Sequence, residues 1–255
     1  MNVGELYAKL EERIPRSLSC EWDNDGLMCC PDPAAPVRRV LVALDITAGV
    51  ADRAIAGGYD LIVSHHPLVF RPLRSAEPGD PVAAKVIRLL RAGVSAMSFH
   101  TRLDAVCGGV NDTLAAALGL TEVTPFGPQG EAIGRLGVLP AAMTLSEFAA
   151  RVRQVTGAPG VLAGDAGLPV RRVAVLGGSG SDELPAARAA GADTYLTGEL
   201  AYHHLSEAPE RGMNLLAAGH FYTENPVCQT LRQMLAGLDG SLCIDLADSN
   251  TVRVL

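Results

Sequence analysis

Histidine residues close several apolar segments of this chain, and acidic residues follow two of them at a spacing of four. The residues concerned are His65-His66 after the run 61–64, His100 with Asp104 after the run 95–99, and His220 with Glu224 after the run 214–219. Imidazole and carboxylate groups that converge from several strand ends are the ligands of a catalytic transition-metal site. The pattern therefore predicts a metal centre.

The ligand types also indicate which ions would bind. Imidazoles with carboxylates and no thiolate suit zinc, iron, manganese or cobalt, and fit poorly with magnesium or calcium alone. Five donors are more than one closed tetrahedral site needs. They are His65, His66, Asp104, His220 and Glu224. We therefore predict two divalent ions per subunit, with zinc, iron or manganese preferred, about 3.5–4 Å apart and bridged by a carboxylate.

Two acids are candidates for the bridging carboxylate, and one histidine has two alternative roles. Asp104 or Glu224 could lie between the ions. His100 is either a sixth ligand or the acid/base that moves a proton beside the metal, and we name it as the candidate catalytic residue.

A glycine-rich segment and a second histidine pair supply candidate substrate contacts. Gly177-Gly178-Ser179-Gly180 follows a predicted strand, so its backbone N–H groups could meet a phosphate. It lacks the Walker lysine and the G-x-G-x-x-G spacing, and a tight strand-to-helix turn is the alternative. His203 could reach a substrate or lie on a solvated helix face. Gly178, Ser179 and His203 are our candidate substrate-binding residues here.

Composition excludes several classes of protein. The 255 residues are 48% hydrophobic, enough to fill real cores, and the net charge is −7. Acidic charge with scattered Lys and Arg argues against a nucleic-acid binder. We see no signal peptide and no apolar run long enough to span a membrane, so we expect a cytoplasmic protein. The six cysteines form no C-x-x-C pair and are expected to be small buried side chains in a reducing compartment.

An internal repeat relates the two halves of the chain. The segment Pro-Val-Arg-Arg-Val occurs at 36–40 and again at 169–173, an offset of 133. The same offset aligns Gly58 with Gly191 and Asp60 with Asp193. Repeats of this kind indicate two copies of one structural unit.

Hydrophobic runs that alternate with helix signals predict the fold class. We expect an α/β protein of two related lobes with mostly parallel or mixed sheets, and a dinuclear metal cleft between them. The predicted strands are 37–44, 60–64, 94–99, 134–139, 171–176, 193–197, 214–218 and 241–246. The predicted lobes are 1–127, with His65, His66 and Asp104, and 128–255, with His220 and Glu224. The last strand is expected to pack on the first lobe, and a turn-rich joint is expected at 125–130.

Several motifs in order resemble the Nif-three-like dinuclear metal-centre family, also known as GTP cyclohydrolase 1 type 2 homologues. They are Trp22-Asp23-Asn24-Asp25-Gly26-Leu27, Ser64-His65-His66-Pro67-Leu68-Val69-Phe70, His100-Thr101-Arg102-Leu103-Asp104 with Gly108-Gly109-Val110-Asn111-Asp112, and, in the second half, Gly177-Gly178-Ser179-Gly180, Thr197-Gly198-Glu199 and Gly219-His220-Phe221-Tyr222-Thr223-Glu224. The resemblance places the family's metal ligands on the same five donors named above. It further implies a two-lobe fold and a ring-shaped homohexamer around a central cavity.

One position departs from the family pattern. Arg102 stands where the family usually has asparagine. Its side chain would either pair with a substrate phosphate or point to solvent, and we add Arg102 to the candidate substrate-binding residues.

The main functional prediction is a metal-dependent hydrolase that uses a metal-activated water on a small-molecule substrate, a nucleotide or a related phosphorylated compound. The resemblance implies GTP as substrate, with ring opening at C8 of the purine and release of formate. One alternative is a metal-dependent phosphoester hydrolase. Another is a ring-shaped regulatory or interaction protein that binds metal without turnover.

Overall fold

The computed structural model describes residues 1–127 and 133–253. The chain divides into two compact units, which we describe separately: residues 1–103 with 228–253, and residues 104–227. The predicted joint at 125–130, and with it the predicted boundary after residue 127, lies partly outside the described residues. Among the helices of the described ranges, none has the length and apolar character needed to cross a bilayer.

The first unit is built on a five-stranded sheet whose strand order is β1-β4-β3-β2-β11. The strands are β1 (Gly26–Cys29), β2 (Arg39–Ala43), β3 (Leu61–Ser64), β4 (Ser95–Ser98) and β11 (Cys243–Leu246). Neighbouring strands from β4 to β11 are parallel, and β1 is added antiparallel at one edge. Residues 40–43 and 61–64 are fully buried, as expected for continuous apolar strands covered on both faces.

The helices of this unit begin and end where local signals predict. They are α1 (Val3–Arg13), the 3-10 turn 16–18, α2 (Ala48–Ala56), α3 (Pro81–Ala92) and most of α11 (Val227–Leu238). The Thr47 hydroxyl accepts from the Val50 N–H at the start of α2, and the Asp80 carboxylate caps α3. Gly93 ends α3 with a φ of 76°, which favours glycine.

The second unit contains a six-stranded mixed sheet in the order β5-β6-β8-β9-β10-β7. Its strands are β5 (Thr121–Phe126), β6 (Gly134–Met143), β7 (Leu162–Gly164), β8 (Val170–Ser179), β9 (Thr194–Glu199) and β10 (Asn214–Ala217). Its helices are α5 (Val110–Ala117), α6 (Leu145–Thr156), α7 (Leu184–Ala189), α8 (Tyr202–Ser206), α9 (Ala208–Arg211) and α10 (His220–Glu224). The three strands β8, β9 and β10 are parallel, and the other pairings are antiparallel. The chain passes between the units within α4 (Thr101–Ala105) and at the start of α11.

The predicted repeat is visible in the hydrogen bonds. In the first unit the Asp60 carboxylate accepts from the backbone N–H groups of residues 38–39, both at 2.8 Å. In the second unit the Asp193 carboxylate accepts from the equivalent groups of residues 171–172, at 2.7–3.1 Å. Each aspartate directly precedes the next parallel strand, so the same local interaction joins β2 to β3 and β8 to β9.

The predicted fold class, α/β with mixed sheets and helix cover, is confirmed, and all eight predicted strands are present. Strands β1, β5 and β7 were not predicted. Each lies at an edge of its sheet and pairs antiparallel with its neighbour.

Candidate metal centre

Three imidazoles come together in the first unit. His65 and His66 follow β3, and His100 follows β4 two residues beyond its last residue. These strands are parallel neighbours with Ser64 opposite Ser98, so the residues beyond their carboxyl ends meet at one edge of the sheet. Each histidine offers one ring nitrogen within 4.8 Å of the other two. The three side chains thus form a group that could hold a metal ion.

Hydrogen bonds fix the orientation of the two consecutive histidines. Nδ1 of His65 lies 2.9 Å from the carbonyl oxygen of Phe99, which can only accept, so Nδ1 carries the proton. Nδ1 of His66 lies 2.7 Å from a carboxylate oxygen of Asp45. Both contacts favour the tautomer in which Nε2 carries the lone pair. Metal-ligating histidines show this arrangement, since an oxygen at the second nitrogen sets ring orientation and basicity.

His100 is oriented by a buried carboxylate. Its Nδ1 lies 2.8 Å from Oδ1 of Asp23, whose side chain is fully buried. The other oxygen of Asp23 accepts from the backbone N–H and the hydroxyl of Thr101, at 3.0 and 2.6 Å. Burial acts to raise the pKa of Asp23, but the hydrogen bonds from His100 and Thr101 outweigh it and lower the pKa to about 2. Asp23 is therefore a carboxylate at neutral pH and holds the imidazole by Nδ1.

The second unit contributes a histidine between two glutamates. Nδ1 of His220 lies 3.2 Å from Oε1 of Glu199, and Nε2 lies 3.1 Å from Oε2 of Glu224. The Glu224 side chain is buried, whereas that of His220 is 37% exposed. Because α10 begins at His220 and ends at Glu224, one helical turn brings the two side chains to the same face.

Asp104 is the remaining predicted ligand in this unit, and it is 8% exposed. Its backbone carbonyl accepts from the side-chain amide of Asn111, at 3.4 Å. The structure thus groups His65, His66 and His100 in one unit, and pairs His220 with Glu224 in the other.

The glycine-rich segment lies against α10. A Cβ at Gly178 would be 2.1 Å from Oε1 of Glu224, and one at Gly198 would be 2.8 Å from Cα of His220. Strand β8 continues through this segment to Ser179, with an irregularity after Leu176. The prediction that the strand ends at 176 is therefore wrong, because Ser179 still pairs with Glu199 of β9 beyond the irregularity.

The phosphate role predicted for Gly178 is not supported. Its N–H donates to the Thr223 hydroxyl at 3.1 Å, and the Gly177 N–H donates to Asn111 Oδ1 at 2.8 Å. These groups are therefore occupied by side chains of the same unit. Ser179 borders a cavity of about 720 Å³, together with Glu199 and residues 217–219.

Two other candidate substrate contacts lie elsewhere. His203 is exposed on α8 and packs against His204, with ring centroids 4.1 Å apart; its role in substrate binding stays a prediction. Arg102 is 0% exposed, and its guanidinium donates to Asp25 at 2.9 Å and to Glu11 at 3.0 Å. Neither predicted role of Arg102, contact with a substrate phosphate or with solvent, fits a guanidinium buried among carboxylates.

The six cysteines differ in their exposure to solvent. Cys29 is buried, and burial raises the pKa of its thiol to about 11. Cys107 and Cys243 are exposed, so the expectation of buried cysteines is wrong for these two.

Sequence reasoning did not assign the groups that orient the histidines. Asp23 stands inside the W-D-N motif, Asp45 follows β2, and Glu199 is the last residue of β9. Each was therefore recognisable in the sequence as a polar residue at a strand end or in a motif. What the sequence did not show is that each of the three bonds a particular Nδ1 atom.

Comparison with known proteins places the chain in a family. The family model Duf34/NIF3 (NGG1p interacting factor 3) matches residues 1–250. Proteins named GTP cyclohydrolase 1 type 2 homolog are similar along most of the chain. The one from Clostridium perfringens is 34% identical, covering 89% of this chain and 88% of its own length. The one from Nostoc sp. is 36% identical, covering 94% and 93%.

Solved structures agree with these matches. A Bacillus cereus protein related to NIF3 has the same fold, with a TM-score of 0.91 and 24% identity over 100% of this chain and 99% of the other. A protein from Thermus thermophilus gives a TM-score of 0.84 and 26% identity, covering 100% of both chains. The chain therefore belongs to the DUF34/NIF3 family.

Proposed function

We propose that this chain is a dinuclear metal-dependent hydrolase that acts on a nucleotide or a related phosphorylated substrate. The observation that carries the proposal is the cluster of His65, His66 and His100, whose ring nitrogens lie within 4.8 Å of one another. An oxygen atom holds Nδ1 of each ring. Packing alone does not require all three Nδ1 atoms to be held. The orientation therefore favours His65 and His66 as ligands and His100 as the acid/base beside them.

The donor set fits two divalent ions of the transition series. The residues that would hold them are His65, His66, Asp104, His220 and Glu224. Imidazole and carboxylate donors without thiolate suit zinc, iron or manganese. Ions of this kind lower the pKa of a coordinated water from about 15.7 toward neutrality and polarise the bond under attack.

His100 is suited to move the proton. Asp23 holds its Nδ1 at 2.8 Å, so Nε2 carries the lone pair that accepts a proton from the attacking water. The buried Asp23 carboxylate also stabilises the imidazolium that results. The same ring then donates the proton to the leaving group.

The substrate class is proposed from the relatives. The Clostridium perfringens and Nostoc proteins are named GTP cyclohydrolase 1 type 2 homologs. For this chain we propose that one water attacks C8 of a purine nucleotide and opens the ring to a formamide, and that a second water hydrolyses this formamide, with formate as product. Release of inorganic phosphate instead would identify a phosphoester hydrolase acting through the same residues.

Metal content and product identity test the proposal together. Protein loaded with zinc, iron(II) or manganese is incubated with GTP, and formate and phosphate are measured. His66→Ala and Glu224→Gln should lower the bound metal and abolish turnover. The matched control Glu210→Gln, on α9, should retain both.

Two results would refute the hydrolase. One is a wild-type protein that binds none of the three ions, zinc, iron(II) or manganese. The other is metal-loaded protein that leaves GTP and a pool of other nucleotides unchanged. The second result would favour a metal-binding interaction protein, consistent with the family description as an interacting factor. The homohexamer and the cytoplasmic location expected from the sequence stay predictions.

A further inference from the structure

Two aromatic side chains near the candidate catalytic histidine are unusually exposed. Trp22, the only tryptophan in the chain, is 64% exposed, and Phe70 is 44% exposed. Trp22 begins the W-D-N motif and Phe70 ends the S-H-H-P-L-V-F motif, and neither aromatic side chain is a candidate metal ligand. Large aromatic side chains normally contribute by burial, so their exposure beside a site indicates a role in contact with a ligand.

The two rings and His100 form one aromatic group. The ring centroids are 6.1 Å apart for Trp22 and Phe70, 6.2 Å for Trp22 and His100, and 5.9 Å for Phe70 and His100. All three contacts are edge-to-face, with interplanar angles of 76–88°. Such contacts leave much of the indole surface open, as the 64% exposure of Trp22 requires.

The backbone around these rings is braced rather than loose. Asp23, next to Trp22, is bonded to His100 and Thr101. Asn24 donates from its side-chain amide to the backbone carbonyl of Val69, next to Phe70. The W-D-N motif therefore joins the Trp22 segment to both the Phe70 segment and His100, and this keeps the aromatic group in place before any ligand binds.

We propose that Trp22 and Phe70 form a stacking subsite for the planar heteroaromatic ring of the substrate. The proposal rests on the proposed function and specifies which residues hold the nucleobase. A braced pair of exposed rings beside His100 suits a flat ring, because stacking lets any base bind through its π-face. It would also place the ring next to the imidazole that moves the proton.

The surface beyond Phe70 suits the phosphate end of the same ligand. A groove of about 540 Å³ is lined by Phe70, Arg71, Arg74 and Lys85, with Asp80 as the acidic residue. Arg71 and Arg74 are exposed, and the Asp80 carboxylate already accepts from two backbone N–H groups of α3. In a chain of net charge −7, this groove is a local basic surface that fits a phosphorylated nucleoside.

Tryptophan fluorescence measures this subsite directly, since all indole emission comes from Trp22. EDTA-treated protein, excited at the red edge of the indole band, is titrated with guanosine 5′-monophosphate, ribose 5-phosphate or inorganic phosphate. We expect saturable quenching by the nucleotide and none by the two probes without a base. Because metal and turnover are absent, this measurement is independent of the hydrolase proposal.

Variants of Phe70 show whether nucleotide affinity depends on stacking against an aromatic ring or only on apolar contact. Phe70→Leu keeps bulk but loses the π-face, and should weaken nucleotide affinity by about 5- to 150-fold. Phe70→Tyr should restore it. Tyr202→Ala removes an exposed aromatic side chain of the second unit and should change nothing. Circular dichroism checks that each variant is folded.

Each result decides one of the two proposals. Equal quenching by guanosine 5′-monophosphate and ribose 5-phosphate, absence of nucleotide quenching, or unchanged affinity in Phe70→Leu would overturn the stacking subsite. Nucleotide quenching without turnover under any metal would leave the subsite standing while the hydrolase fails. Turnover of GTP with an unchanged KM in Phe70→Leu would leave the hydrolase standing while the subsite fails.

Discussion

The substitution Gly178→Ala tests whether Glu224 binds metal, because its effect on metal affinity can be measured separately from its effect on the free energy of unfolding. Gly178 has a φ of +70° and lies against the candidate ligands. A Cβ there would be 2.1 Å from Oε1 of Glu224 and 3.1 Å from Nε2 of His220. The Glu224 carboxylate must therefore turn away, since no heavy atoms approach so closely without a bond.

Two effects of different size follow from this geometry. The left-handed backbone costs alanine about 1–2 kcal/mol in the free energy of unfolding. The clash adds little to that cost, because it involves the end of a flexible side chain that can rotate. If Glu224 ligates metal, its displacement should lower metal affinity by about 10- to 100-fold, the loss found when groups that orient metal ligands are removed.

Gly157 provides the matched control within the same unit. It ends α6 with a φ of +75°, and a Cβ there would meet no atom within 4 Å. Gly157→Ala therefore carries the same backbone cost without touching the candidate ligands. Urea unfolding gives the free energy of unfolding of both variants, and titration calorimetry with zinc and manganese gives their metal affinities.

We expect similar losses of stability in both variants and a loss of affinity only in Gly178→Ala. Metal binding in Gly178→Ala as tight as in Gly157→Ala would refute the assignment of Glu224 as a ligand. A larger loss of stability in Gly178→Ala with unchanged affinity would show that the glycine serves packing alone.

Three further predictions concern stability and assembly. Arg102→Leu should lower the free energy of unfolding by about 3–5 kcal/mol in urea, because it removes the buried guanidinium 2.9 Å from the Asp25 carboxylate and leaves only Arg16, at 3.9 Å; a loss below about 1 kcal/mol would contradict this. Asp60→Ala and Asp193→Ala each remove an acceptor of two backbone N–H groups and should each cost about 1–3 kcal/mol, whereas a cost in only one unit would argue against the structural repeat. Light scattering should give six times the chain mass of 26.6 kDa, and a stable monomer at micromolar concentration would exclude the predicted homohexamer.

The parallel strands at the centre of both sheets were predictable because buried strands are rich in consecutive apolar residues. Strands β2 and β3 consist mostly of apolar residues, and β8 contains the apolar run 173–176, as expected where helices cover both faces of a parallel sheet. The helix cap at Thr47 was equally predictable, because capping depends on residues three positions apart in sequence.

The edge strands β1, β5 and β7 were not predicted because their sequences lack a clear apolar pattern. Residues 121–125 of β5 are exposed, β7 has three residues, and β1 pairs irregularly with β4. Edge strands with exposed or few residues carry no hydrophobic period, so their pairing depends on the neighbour they meet.

The candidate site likewise has features that the local sequence predicts and features that depend on distant residues. Local sequence placed His65, His66, His100 and His220 at strand ends, because each follows an apolar run directly. It said nothing of which nitrogen each ring presents, since this depends on acceptors as distant as Asp23, 77 residues from His100.

Residue type and spacing were therefore sufficient to predict the fold class and the set of candidate ligands, and the resemblance of several motifs in order indicated the family. Long-range packing was needed to show that Arg102 is buried with two carboxylates, that Gly178 lies against Glu224, and that Trp22 lies beside His100. The physical reason is that strand ends are set by neighbours along the chain, whereas orientation and burial of a side chain are set by atoms that folding brings from far away.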